Sequence, residues 1–204
     1  MTEPEDDVSW VVGVLGHAAG CSAAQFVPVP FVDDIAVSIL FTRIADKVLA
    51  RHGGAEAGYA KQIAKGYLDE GGSSIGTWIL VTAAKFVLRK IAIVFDVKKS
   101  HDVFGEAVAF ALALDVAMEQ KTLLRAAPRG LGAALFRSVR SVGRAPLGAI
   151  ASAAVKTYRA GSEEKKLETF QREVAGQARA TRVELRAAFA REAVAPPAGT
   201  SAAR

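Results

Sequence analysis

Cysteine occurs once in 204 residues, at Cys21, so the chain can hold neither an internal disulfide nor a cysteine-rich zinc site. Histidine occurs only at His17, His52 and His101, and none of the three has a partner at a spacing that chelates on a helix. No metal and no cofactor is therefore expected. Also missing are Gly-x-Ser-x-Gly, His-Glu-x-x-His, a glycine-rich loop ending in Gly-Lys-Ser/Thr and a dinucleotide fingerprint. Cys21 lies in a Gly/Ala/Ser stretch with no cation nearby, so nothing local favours its thiolate. Asp33 and Asp34 are adjacent and would splay by about 100° on a helix, a poor arrangement for sharing a proton. These absences point away from an enzyme. Only a site assembled from residues distant in sequence would escape them.

Acidic residues are scarce in some stretches and abundant in others, and that distribution organises the chain. Hydrophobic residues make up 51% and charged residues 23%, with a net charge of +5, which favours anionic partners: phospholipid headgroups, nucleic acid or an acidic protein. Residues 1–7 form a short acidic leader, where a secretory signal would need basic residues, so the chain is expected to be cytoplasmic. From Val8 to Val32 no residue is charged. That run is long enough to span a bilayer, but its Gly, Ala, Ser, His and Gln content and Pro28 favour a core helix. Gly13, Gly16 and Gly20 within it are spaced for close helix packing.

The turn Val27-Pro-Val-Pro-Phe-Val-Asp-Asp34 leads into a helix expected to run to about His52. Asp33 and Asp34 stabilise its positive end, Ile35, Ile39, Ile44, Val48 or Leu49 give it an apolar face, and Lys47, Arg51 and His52 suit its negative end. Gly53-Gly54 stops it. A shorter helix is expected around Glu56–Leu68, ending at Gly71-Gly72. The apolar segment from Ile75 to Phe95 has the length of a membrane span, but Lys85, Arg89 and Lys90 interrupt it. Each central cation costs roughly 2.5–3.5 kcal/mol on insertion, which argues for a helix wrapped by neighbours. Asp96, Lys98, Lys99, His101 and Asp102 read as a polar hinge, or else one helix continues through them.

A second apolar helix, Val103–Gln120, carries Glu106 and Asp115. A buried carboxylate needs a partner, and a hairpin would set Asp115 or Glu106 opposite Arg89 or Lys85 as internal ion pairs. From Lys121 to Ala160 there are eight basic residues, including Arg125, Arg129, Arg137, Arg140 and Arg144, and not one acid. Arg137, Arg140 and Arg144 are spaced three and four and share a helical face. A one-sign stretch interleaved with Leu, Phe and Val reads as an interfacial surface for anionic lipid. Nucleic acid is the weaker rival, because aromatic interleaving and helix-turn-helix spacing are missing. The last helix, 161–194, opens with Ser162, Glu163 and Glu164. It carries a partial heptad stripe of Leu167, Phe170, Val174, Ala178 and Leu185, weakened by Gln177 and Thr181, and its alternating Glu and Arg read as a solvated face. Residues 195–204 have the composition of a disordered tail.

The Val-Pro-Val-Pro-Phe-Val-Asp-Asp turn entering a long amphipathic helix, followed by glycine-bounded apolar helices with lysines, resembles uncharacterised bacterial helical proteins of the EcsC type. It is also similar to domains of unknown function that accompany GTPases. The resemblance covers residues 8–120 and implies membrane association without a known activity, and it carries over no catalytic residue. The expected fold is all-α: a compact apolar bundle over 8–120, a basic amphipathic region over 121–160 and a charged C-terminal helix over 161–194. The expected role is a non-enzymatic protein peripheral to the inner membrane. The alternatives are a soluble interaction module that self-associates through 162–194 or binds an acidic protein, and an integral membrane protein.

Overall fold

Six helices make up most of the described chain, and among the described residues there is no β-strand. The computed structural model describes residues 10–24, 32–54, 56–71, 98–120, 127–143, 148–149, 152–153 and 163–194. Helix α1 is Val11–Ala24, α2 is Val32–Arg51 and α3 is Tyr59–Glu70. Helix α4 is Lys98–Gln120, α5 is Pro128–Val142 and α6 is Glu163–Val194. The all-α class read from the sequence is what the described residues adopt.

Local signals explain several boundaries. Gly53 and Gly54 stop α2 with φ of 97° and 85°, values open to glycine at little cost. The Gly54 amide reaches back to Leu49 O at 2.8 Å, closing off the helix's last carbonyls. Pro128 takes the first turn of α5, where its missing N–H is no loss. Residues Lys98 to Asp102, read as a hinge, instead form the first turn and more of α4. Lys85, Arg89 and Lys90 and the rest of the Ile75–Phe95 segment lie outside the described residues.

Helix α4 is the axis of the fold. Every residue from Ala107 to Ala117 is buried, and α1, α2, α5 and α6 pack around it. A helix apolar on all sides is stable in water only when enclosed in this way. Helix α2 turns Val37, Phe41, Ile44, Ala45, Val48 and Leu49 inward, at the i, i+4, i+7, i+8 spacing of one helical face. Ile39, expected on that face, is 51% exposed: two residues on from Val37, it points to the opposite side of the helix.

The core does not stop at residue 120. Leu131, Leu135 and Val139 of α5 and Val174, Ala178, Leu185 and Phe189 of α6 belong to the same cluster as the residues of α1–α4. The basic region thus supplies a core helix as well as an exposed surface. At its centre the Tyr67 ring meets Phe110, Phe136 and Phe41, with centroids 4.7, 5.3 and 5.5 Å away, so one aromatic group joins α2, α3, α4 and α5.

The closest approach in the bundle is between α3 and α5. A methyl group at Gly66 would lie 2.0 Å from Arg129 O, and one at Gly132 would lie 2.1 Å from Ile63 O. Two backbones can come so near only where both helices lack a side chain. The glycines read as packing positions in α1 behave otherwise. Gly16 faces open space, Gly13 has only the Lys47 ammonium near it, and Gly20 touches the flexible Leu40 side chain.

Candidate functional site

Asp115 sits in the middle of the enclosed helix α4, its side chain wholly buried. An ionised carboxylate there is tolerable only with charged or hydrogen-bonding partners. Three converge on it. Arg182 of α6 places a guanidinium nitrogen 2.9 Å from Oδ2. His52, just past the end of α2, directs Nε2 at Oδ1 from 2.8 Å. Arg51 stands 3.5 Å from the same Oδ1 and lies over the Trp10 ring, 5.5 Å from its centroid. One turn along α4, Glu119 accepts from Arg182 and, at 3.2 Å, from Arg186.

The expected partners of Asp115, Arg89 and Lys85, lie outside the described residues; within them the pairing is with Arg182, His52 and Arg51. Glu106, further back on this helix, accepts from the Tyr67 hydroxyl at 3.4 Å. Burial, and then the Glu106 charge, push the Tyr67 phenol well above its ordinary pKa, so it stays a donor.

Arg182 departs from the solvated face expected of α6. It is 1% exposed, in a helix where Arg172, Arg179 and Arg191 are all exposed. The reason is position: Arg182 is four residues after Ala178 and three before Leu185, inside the core-facing rows. His52, read as a helix-end cation, has a more specific role as a donor to a carboxylate 63 residues away.

Burial pushes the Glu119 carboxyl up, but the Arg182 and Arg186 guanidiniums outweigh it and hold its pKa below the ordinary 4.5. A carboxylate with a depressed folded pKa contributes stability that is complete above the unfolded value and lost as pH falls through the folded one. Between pH 7 and pH 5 the Glu119 contribution should therefore be constant, and it should fade below about pH 4.5. Melting temperatures of the wild type and Glu119→Gln, followed from pH 7 to pH 3, should differ most at neutral pH and converge on acidification. Parallel curves would contradict this.

Chemically, a carboxylate that orients an imidazole is half of an acid–base relay. Among the described residues no hydroxyl or thiol hydrogen-bonds to His52, and none of them groups three His, Cys, Asp or Glu side chains for a metal. Cys21 is buried, and burial pushes its thiol far above its ordinary pKa. His17 is lowered by burial and then by Lys47. The cluster ties α6 to α4 and to the end of α2.

The arginines of the basic segment lie elsewhere. Arg129, Arg137 and Arg140 are exposed on α5, while Arg125 and Arg144 lie outside the described residues. The acids missing from their own stretch arrive from α3. Arg129 pairs with Asp69 at 2.5 Å and Arg137 with Glu70 at 3.1 Å, all four side chains being substantially exposed. Arg140 lies over the Phe136 ring, 5.0 Å from its centroid. Lys61 and Lys65 are exposed on α3. Among the described residues no helix is long and apolar enough to cross a membrane. The chain matches no protein-family model, no curated protein and no solved structure.

Proposed function

We propose that this is a non-enzymatic helical protein that binds an anionic membrane surface through the exposed basic face of α5. The observation that carries the reading is the division of labour within residues 121–160. Eight cations and no acid occur there, and α5 turns Leu131, Leu135 and Val139 into the core while Arg129, Arg137 and Arg140 stay outside. The resemblance to membrane-associated proteins of the EcsC type points the same way.

The burial of that leucine row alters the mode of contact expected from sequence. An interfacial helix inserts its apolar face into lipid. Here that face is already occupied by α3, α4 and α6, so the contact is one of arginine side chains with headgroup phosphates. Each basic residue near an anionic surface contributes about 1 kcal/mol. Asp69 and Glu70 compete for two of these arginines, and Lys61 and Lys65 balance those two acids within the adjoining helix.

Flotation with neutral and anionic vesicles tests the proposal. Recovery should be confined to anionic vesicles and should fall as salt rises. The double substitution Arg137→Ala, Arg140→Ala should lower binding by about thirtyfold, since two side chains contribute ~1 kcal/mol each and the Glu70 carboxylate left unpaired does not favour an anionic surface. Equal recovery on both vesicle types, unchanged in the double variant, would sink the idea.

A further inference from the structure

Helix α6 carries a second apolar row, opposite the one that enters the core. Its core side is Val174, Ala178, Thr181, Leu185, Ala188 and Phe189. On a helix turning about 100° per residue, the positions about 180° from that side are Gly176, Ala180, Val183, Ala187 and Ala190. All five are exposed, at spacings of four, three, four and three. Val183 is 61% exposed, more than any other large apolar side chain among the described residues, and a methyl group at Gly176 would meet nothing within 4 Å.

A row repeating every 3.5 residues is the seam of a two-stranded coiled coil. In that frame Val183 and Gly176 take d positions, and Ala180 and Ala187 take a positions. Arg172, Arg179 and Arg186 then fall at g, and Gln177, Glu184 and Arg191 at e. Charges flanking the seam select orientation. In an antiparallel pair g faces g, so the arginine column of one helix would confront that of the other, and Glu184 would face Glu184 of the second copy. In a parallel pair g meets the e position five residues on, which sets Arg179 against Glu184 twice, by symmetry. Neither Arg179 nor Glu184 has an ion-pair partner among the described residues. Arg186, whose parallel counterpart would be Arg191, is already held by Glu119.

We infer that the outer face of α6 is the contact between two copies of this chain, paired as a parallel two-stranded coil about a two-fold axis along the helix. The row lies opposite the core, so among the described residues the bundle projects away from the seam. Alanine and glycine let the helices approach closely but bury little area, so the dimer is weak and concentration-dependent.

Light scattering and sedimentation of the full chain over a wide concentration range provide the test. The mass should rise from 21.4 kDa towards twice that value. Val183→Glu, at an exposed position that leaves the core and the helical circular dichroism unchanged, should raise the dissociation constant at least tenfold. Arg179→Glu sets carboxylates against each other across the seam and should do the same, while the double variant Arg179→Glu, Glu184→Arg should restore the wild-type value. A monomer at every concentration would overturn the inference. So would a dimer indifferent to Val183→Glu, or a charge exchange that fails to restore pairing.

Discussion

Replacing Arg182 by leucine should cost about 3–5 kcal/mol of folding free energy, the range seen when one member of a buried ion pair is removed. The substitution strips Asp115 of the guanidinium 2.9 Å away and removes one of two arginines from Glu119. His52 and Arg51 remain near Asp115, but Arg51 stands at 3.5 Å with its side chain 33% exposed, and cannot replace a contact made in the interior. The comparison that isolates the effect is a double variant. Arg182→Leu with Asp115→Leu removes both charges and should recover most of the loss, because burying a salt bridge is often no better than burying a pair of apolar groups. Urea unfolding of the four proteins measures the cycle. A single variant within about 1 kcal/mol of wild type would show that Arg182 does not compensate Asp115.

Gly66→Ala should be as damaging, although it adds one methyl group. The new Cβ would meet Arg129 O at 2.0 Å, against a backbone atom that can move only with its helix. The α3–α5 pair would have to separate, loosening Tyr67 from Phe136 and pulling Asp69 from Arg129 and Glu70 from Arg137. Overpacking costs typically 1–3 kcal/mol and more when backbone must shift, so about 3 kcal/mol is expected. Gly132→Ala should behave alike, with its Cβ 2.1 Å from Ile63 O. Gly16→Ala is the internal control. It lies in a helix, faces open space and should stabilise by about 0.5–1 kcal/mol through helix propensity alone. Melting temperatures of the three variants should therefore move in opposite directions. A neutral Gly66→Ala would mean that the two helices are not in close contact.

The two glycines also show why part of this molecule could not be read in advance. Gly66 is a lone glycine inside a helix and its counterpart Gly132 is 66 positions away, so neither forms a spacing motif by itself. Gly13, Gly16 and Gly20 do form one, and yet Gly16 faces nothing. By contrast, the end of α2 was legible, because Gly53-Gly54 acts locally and needs no partner. Asp115 was legible halfway: a carboxylate among alanines and leucines announces that it must be neutralised, but not by what. Arg182 looks like any other charge in a helix of alternating sign. Only its place beside Ala178 and Leu185 separates it from Arg179 and Arg191, and the heptad-like stripe in the sequence runs through Thr181 rather than through its neighbour. The exposed arginines of α5 were legible as a face, while their acidic neighbours on α3 were not, since a pairing across some 60 residues leaves no trace in composition.

The charged cluster around Asp115 has a consequence for the order in which the chain is completed. Asp115 and Glu119 emerge from the ribosome more than 60 residues ahead of Arg182 and Arg186. At synthesis rates of about 5–20 residues per second, α4 waits some 3–13 seconds for the cations that neutralise it, far longer than a helix takes to form. During that interval its apolar faces can be partly covered by α1, α2 and α5, and Arg51 and His52 can already reach Asp115, but Glu119 still lacks its two arginines and requires water. The nascent bundle must therefore remain open along one side of α4. It is sealed only when α6 docks and brings Arg182 and Arg186 to that side.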